Sequence, residues 1–142
     1  MTEADLEQAY RRTRYRAELP IGPVVIRIGQ PTPALDQWLA DEDFHDWAFL
    51  TAANPFSRPT DPDTNAARQA QLADRLRKDG WRFYTGEGIP DEGDDWSAEP
   101  SWMVVDIDPD TAMAIAREFN QNAIVTGRCG EPARLTWCRA TG

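Results

Sequence analysis

Three times in this chain a short polar residue is followed by proline and then by an apolar stripe at helical spacing. The pairs are Thr32-Pro33, Asp61-Pro62 and Asp108-Pro109. A Thr or Asp side chain can accept from the exposed amides of a first helical turn, and proline at the first helical position gives up an N–H that has no partner there. The stripes that follow are Leu35, Trp38, Leu39, then Gln69, Leu72, Ala73, Leu76, then Ala112, Ile115, Ala116, Phe119. Gly80 and Asn120 stand where the second and third helices should stop, because both residue types tolerate the left-handed backbone of a helix end. Leu6, Ala9 and Tyr10 predict a further short helix over about residues 3–11.

The stretches between these helices read as strands. Tyr15, Ala17 and Leu19 alternate with Arg14, Arg16 and Glu18, the pattern of a strand with one wet face. The turn Pro20-Ile21-Gly22-Pro23 joins it to the β-branched run Val24–Ile28, so the two should form a hairpin. Further strands are expected at residues 47–52, 81–85, 102–107, 123–126 and 134–138, the last after a loop containing Gly127, Gly130 and Pro132. This order predicts an α/β fold bordering on α+β. It has a single mixed β-sheet of about six to seven strands with three to four packed helices, formed by residues 1–142 as one domain.

Composition narrows the function classes. A formal charge of −9 argues against bulk nucleic acid as a partner, since that binding needs clustered basic residues to release counterions. The crowding of Arg11, Arg12, Arg14 and Arg16 reads better as a solvated face than as a phosphate site. No apolar run reaches the length that spans a bilayer, and the N-terminus lacks a signal-peptide core. A cytoplasmic location is therefore expected, with Cys129 and Cys138 as free thiols.

Crossovers through helices join strands of the same direction, so the runs beginning at Val24, Trp47 and Trp81 should point the same way. The acidic segment from Gly86 to Pro100 then reads as a long loop into an antiparallel strand, a lid or rim at the end where those three strands finish. Asn54, Ser57, Glu87, Trp96, Glu99, Ser101, Gln121 and Asn122 all fall at that edge, together with Gln30 and Thr51. Ligands favour the carboxyl ends of such strands. Glu87 and Glu99 are the candidate catalytic pair, as two facing carboxylates that split into acid and base or that share a hard cation with Asp94 or Asp95. Asn54, Ser57, Trp96, Ser101, Gln121 and Asn122 are the candidate ligand contacts, with the indoles of Trp96 and Trp102 available to stack on a planar group. The plainer alternatives are a turn-shaping Asn54-Pro55, an Asn65 that satisfies nearby backbone, a core-capping Trp96 and an arginine partner for Glu99.

Other chemistries lack their residues. His45 is the sole histidine and lies at the opposite strand ends, which speaks against a Ser-His-Asp arrangement and, with two cysteines, against zinc. Gly86-x-Gly88 precedes no helix and DEGDDWSAE lacks the calcium-loop glycine, so no metal ligand set is assigned. The sequence carries no sign of a nucleotide cofactor or haem, and the cofactor is left unknown.

Several separated motifs stand in order: Ala9-Tyr10 with Thr13 and Tyr15, FLTAANPFS at residues 49–57, Asn65-Ala66-Ala67-Arg68, the GEG at 86–88, W-x-x-EPS at 96–101 and QNAIV at 121–125. Together they resemble those of a bacterial family, the domain of unknown function 3293. Members of that family carry Trp before the Asn of the third-strand motif, where this chain has Ala53. The resemblance implies a single bacterial domain and brings no activity with it. The functional expectation is thus a domain that binds or transforms a small molecule at the edge around residues 86–101. The alternative is a non-enzymatic interaction module whose acidic loop meets a basic protein partner.

Overall fold

A computed structural model describes residues 2–94 and 97–138. The elements follow the expected order: α1 (Glu3–Arg12), β1 (Arg14–Leu19), β2 (Gly22–Ile26), α2 (Pro33–Glu42), β3 (Asp46–Leu50), α3 (Pro62–Lys78), β4 (Arg82–Ile89), β5 (Glu99–Val105), α4 (Pro109–Glu118), β6 (Ala123–Arg128) and β7 (Arg134–Trp137), with a short 3-10 turn at Pro55–Ser57. Two of the three expected side-chain caps form. Asp61 accepts from the Thr64 amide at 2.9 Å and Asp108 from the Thr111 amide at 3.1 Å. Thr32 makes no such bond, and α2 starts on its proline alone. Asn120 takes the left-handed backbone expected after α4, at φ 59°.

All seven strands form one sheet in the order β2-β1-β4-β5-β3-β6-β7. Every ladder in it is antiparallel. The parallel component is a single bridge between Ile28 and Ala133, where the Gly29 amide donates to the Ala133 carbonyl at 2.7 Å. The sheet therefore curls until the chain leaving one edge strand meets the chain entering the other. The directions expected from the helical crossovers hold: β2, β3 and β4 run the same way, but β1 and β5 are interleaved between them, so the three are never neighbours.

The long loop is shorter than its composition suggests. β4 continues through Gly86-Glu87-Gly88 to Ile89 and β5 starts at Glu99, leaving residues 90–98 as the connection. The reason is not local. A Cβ on Gly86 would lie 2.7 Å from Phe49 Cζ, so glycine here makes room for a ring arriving from β3 across β5. Gly127 does the same for Trp47, whose Cζ2 would be 2.3 Å from an added Cβ. These are strand glycines at a close approach, not loop glycines.

The alternation of the strands sends apolar side chains to both faces. On one face Tyr15, Ile26, Trp47, Phe49, Met103 and Val125 pack beneath Leu35, Trp38 and Leu39 of α2. On the other, Ala48, Leu50, Val104 and Ile124 pack beneath Leu72 and Leu76 of α3 and Ala112, Ile115 and Ala116 of α4. Cys129 and Cys138 are free thiols. Among the described residues no helix is long and apolar enough to cross a membrane.

Candidate functional site

Where the α2 face reaches the upper ends of β3 and β4, a cleft of about 70 Å³ opens beneath the last turns of α1. That space holds a few waters or a small organic group. Ala9 and Tyr10 form its roof, Tyr15 and Phe49 its apolar floor, and Glu99 and Ser101 of β5 one wall. Asn54, Ser57 and Gln121 close it from the loops after β3 and α4.

The loop after β3 is held in a conformation that ordinary residues avoid. Asn54, Phe56 and Ser57 have φ of 49°, 54° and 59°, and a left-handed Phe is a genuine outlier. Surrounding bonds over-determine it. Asn54 Oδ1 accepts from the Thr60 amide at 3.0 Å and from Asn65 Nδ2 at 2.9 Å, while the Asn54 amide donates to Asn65 Oδ1 at 2.9 Å. The Phe56 amide donates to the Asn120 carbonyl at 2.6 Å. Strain maintained this way concentrates at functional sites. Its result is to aim the Asn54 side-chain amide and the Ser57 hydroxyl into the cleft.

Glu99 is the electrostatic centre. Burial raises its carboxyl from 4.5 to about 7, and a hydrogen bond from the Asn54 side chain opposes the rise. The residue keeps part of its surface at the mouth of the cleft, but the carboxyl itself lies deep enough to be desolvated, and neither cause of its shift is a basic side chain. Two phenols face it. Burial, reinforced by the charge of Glu99, raises Tyr10 well above its ordinary value, and burial likewise raises Tyr15. The Tyr10 hydroxyl donates to the Ala123 carbonyl at 3.3 Å and the Tyr15 hydroxyl to the Tyr10 carbonyl at 2.9 Å. Ser57 lies between Tyr10 and Asn122, accepting from Asn122 Nδ2 at 3.0 Å.

The residues singled out from sequence divide. Asn54, Ser57, Glu99, Ser101 and Gln121 line one cleft, and Asn122 holds Ser57 from behind. Trp96 lies outside the described residues. Glu87 does not join Glu99: it sits opposite Pro100 while Glu99 sits opposite Gly88. Side chains alternate along a strand, so the two carboxylates project to opposite faces of the sheet and the expected facing pair does not form. Glu87 instead borders a shallow depression with Arg16, Glu18 and Thr85. Trp102 also belongs to the far face, where its indole donates to the Gln69 carbonyl at 3.2 Å, and Gln30 is not among the lining residues. Asn65 satisfies the loop before it. From sequence Tyr10 and Tyr15 read as helix stripe, strand alternation and part of the family motif, and not as site residues. Their shared place in that motif, on either side of the joint between α1 and β1, is the available signal.

Residues 50–124, just over half of the chain, match the sequence profile of a family described as Protein of unknown function (DUF3293). The chain belongs to that family. The matched segment runs from the end of β3 into β6 and so includes Asn54, Ser57, Glu99, Ser101, Gln121 and Asn122. No curated protein and no solved structure matches the chain.

Proposed function

We propose that this protein is a small-molecule-binding domain, with Glu99 as the group that exchanges a proton with the bound ligand. The observation that carries this reading is a carboxyl in a cleft whose ionisation burial pushes up, with an asparagine amide beside it and no basic side chain among the causes. A carboxyl that titrates near neutrality serves equally as acid and base, and desolvated titratable groups in clefts mark functional sites more often than structural ones. Asn54, Ser57, Ser101 and Gln121 supply the polar contacts, and Asn122 positions Ser57. The interaction-module alternative is less well supported, because Arg12 ties Asp94 to α1 through bonds of 2.8 and 3.3 Å, which holds part of the acidic loop against the protein's own surface.

A thermal-shift screen of the full chain against metals, nucleotides and common metabolites tests the proposal, since a ligand selective for the native state raises the midpoint by mass action. The expected hit raises the midpoint of the wild type and not of Glu99→Gln. A hit of equal size in both proteins would remove Glu99 from the site.

A further inference from the structure

Most polar groups around the cleft share a property that selects its ligand: their hydrogens are already used. Thr51 Oγ1 donates to the Pro100 carbonyl at 2.7 Å and Ser101 Oγ to the Glu99 carbonyl at 3.1 Å. Thr13 Oγ1 donates to the Ala9 carbonyl at 2.7 Å, and both tyrosine hydroxyls donate to backbone carbonyls as described. Gln121 Nε2 spends its two hydrogens on the Ala53 and Phe119 carbonyls at 3.1 and 3.2 Å. Each hydroxyl retains lone pairs, and Gln121 retains its amide oxygen. The wall of the cleft is therefore rich in acceptors and poor in donors.

Charge points the same way. The described lining includes one carboxyl, Glu99, and no Lys, Arg or His. The roof is the last turn of α1, the negative end of a helix dipole, which favours cations. The rings of Tyr15 and Phe49, packed edge to face at 5.4 Å, supply aromatic surface of the kind a cation can approach. An anionic ligand would meet no positive group and would face the Glu99 carboxyl, with Asn54, Ser57 and Ser97 as the remaining side-chain donors.

We infer that the cleft takes a small organic ammonium, whose hydrogens meet the Glu99 carboxylate and the surrounding hydroxyl oxygens. This deepens the reading of the cleft as a ligand site and rests on it. The titratable groups that face Glu99 are Tyr10 from α1 and Tyr15 from β1, both held neutral by burial; Cys138, beyond Tyr10, is a thiol pushed up to about 11. Among the described residues Glu99 is thus the one group near the cleft that changes charge around neutrality, and an ammonium must displace its proton. Binding strengthens as pH rises and levels off above about 7.

The test follows backbone amide resonances of the isotopically labelled full chain during titration with n-butylammonium, n-butanol and butyrate. At pH 8 the ammonium is expected to shift the Ser57 and Ser101 amides saturably and about tenfold more tightly than the alcohol, with butyrate weakest. Below pH 7 its affinity falls by about tenfold per unit, the slope of one displaced proton. Glu99→Gln, a neutral side chain of the same shape, reduces the ammonium to the level of the alcohol. Butanol or butyrate binding as tightly as the ammonium, or ammonium binding unchanged in Glu99→Gln, overturns the cation assignment while leaving the cleft as a ligand site. No saturable shift at these amides with any of the three probes overturns both.

Discussion

Glu87 and Glu99 stand on adjacent strands one residue out of register, so one carboxyl reaches solvent on the open part of the sheet while the other is enclosed beneath α1. The ionisation of Glu99 should couple to folding. A carboxyl whose folded value is raised keeps a proton that the unfolded chain releases, so stability falls as pH rises between the two values. For Glu99 that window runs from about 4.5 to about 7, and the shift corresponds to about 3 kcal/mol as an upper bound. Glu99→Gln should therefore flatten the decline in stability across this window and be more stable than the wild type at pH 8. Urea unfolding at several pH values distinguishes them, and equal profiles for wild type and Glu99→Gln would refute the assignment.

Asn54 is expected to act on the same carboxyl. Its side-chain hydrogen bond holds the Glu99 value down, so Asn54→Ala should move the Glu99 titration upward. The substitution also removes the acceptor of the Thr60 amide and a bond from Asn65, at a cost of about 1–3 kcal/mol. A side-chain carboxyl titration by NMR reads the first effect and chemical denaturation the second. A Glu99 value that stays put or falls would show that Asn54 does not reach it.

The two strand glycines should behave as cavities already filled. Gly127→Ala brings a methyl group against the Trp47 indole, which is fully buried and cannot retreat. Gly86→Ala meets the Phe49 ring in the same way. Each should cost about 1–3 kcal/mol or more. Replacing the ring at the same time, as in Gly86→Ala with Phe49→Leu, should recover part of the loss for that pair and none for Gly127→Ala. Midpoints from thermal melts provide the comparison.

Three proline-started helices offer an internal control for capping. Asp108 accepts from both the amide and the hydroxyl of Thr111, at 3.1 and 2.6 Å, and Asp108→Ala should lower stability by about 1 kcal/mol. Thr32→Ala, which removes no side-chain cap bond, should be close to neutral. A larger loss at Thr32 than at Asp108 would contradict the observed bonding.

The element order was legible because its signals are local. A capping residue, a proline and a 3.6-residue stripe act within one or two turns, and the crossovers they define set strand direction without saying which strands lie side by side. The edge that gathers Asn54, Ser57, Glu99, Ser101 and Gln121 was legible for the same reason. What stayed hidden depends on partners far away in the chain. Gly86 looks like punctuation until Phe49 is placed over it, so the end of β4 could not be located from its own residues. The faces of Glu87 and Glu99 turn on a single step of register that neither strand specifies alone. The contribution of Tyr10 requires knowing that α1 folds back over the upper ends of β3 and β4.

The bridge from Ile28 to Ala133 has a consequence for life at high concentration. An open seven-stranded sheet would present two rows of unpaired amides and carbonyls to neighbouring molecules, and such rows template aggregation. Here the two outermost strands are brought together by their own flanking chain, with α1 lying beside β7. Cutting the chain before Ala133 would expose both margins at once, and the shortened protein should self-associate long before it loses its helices.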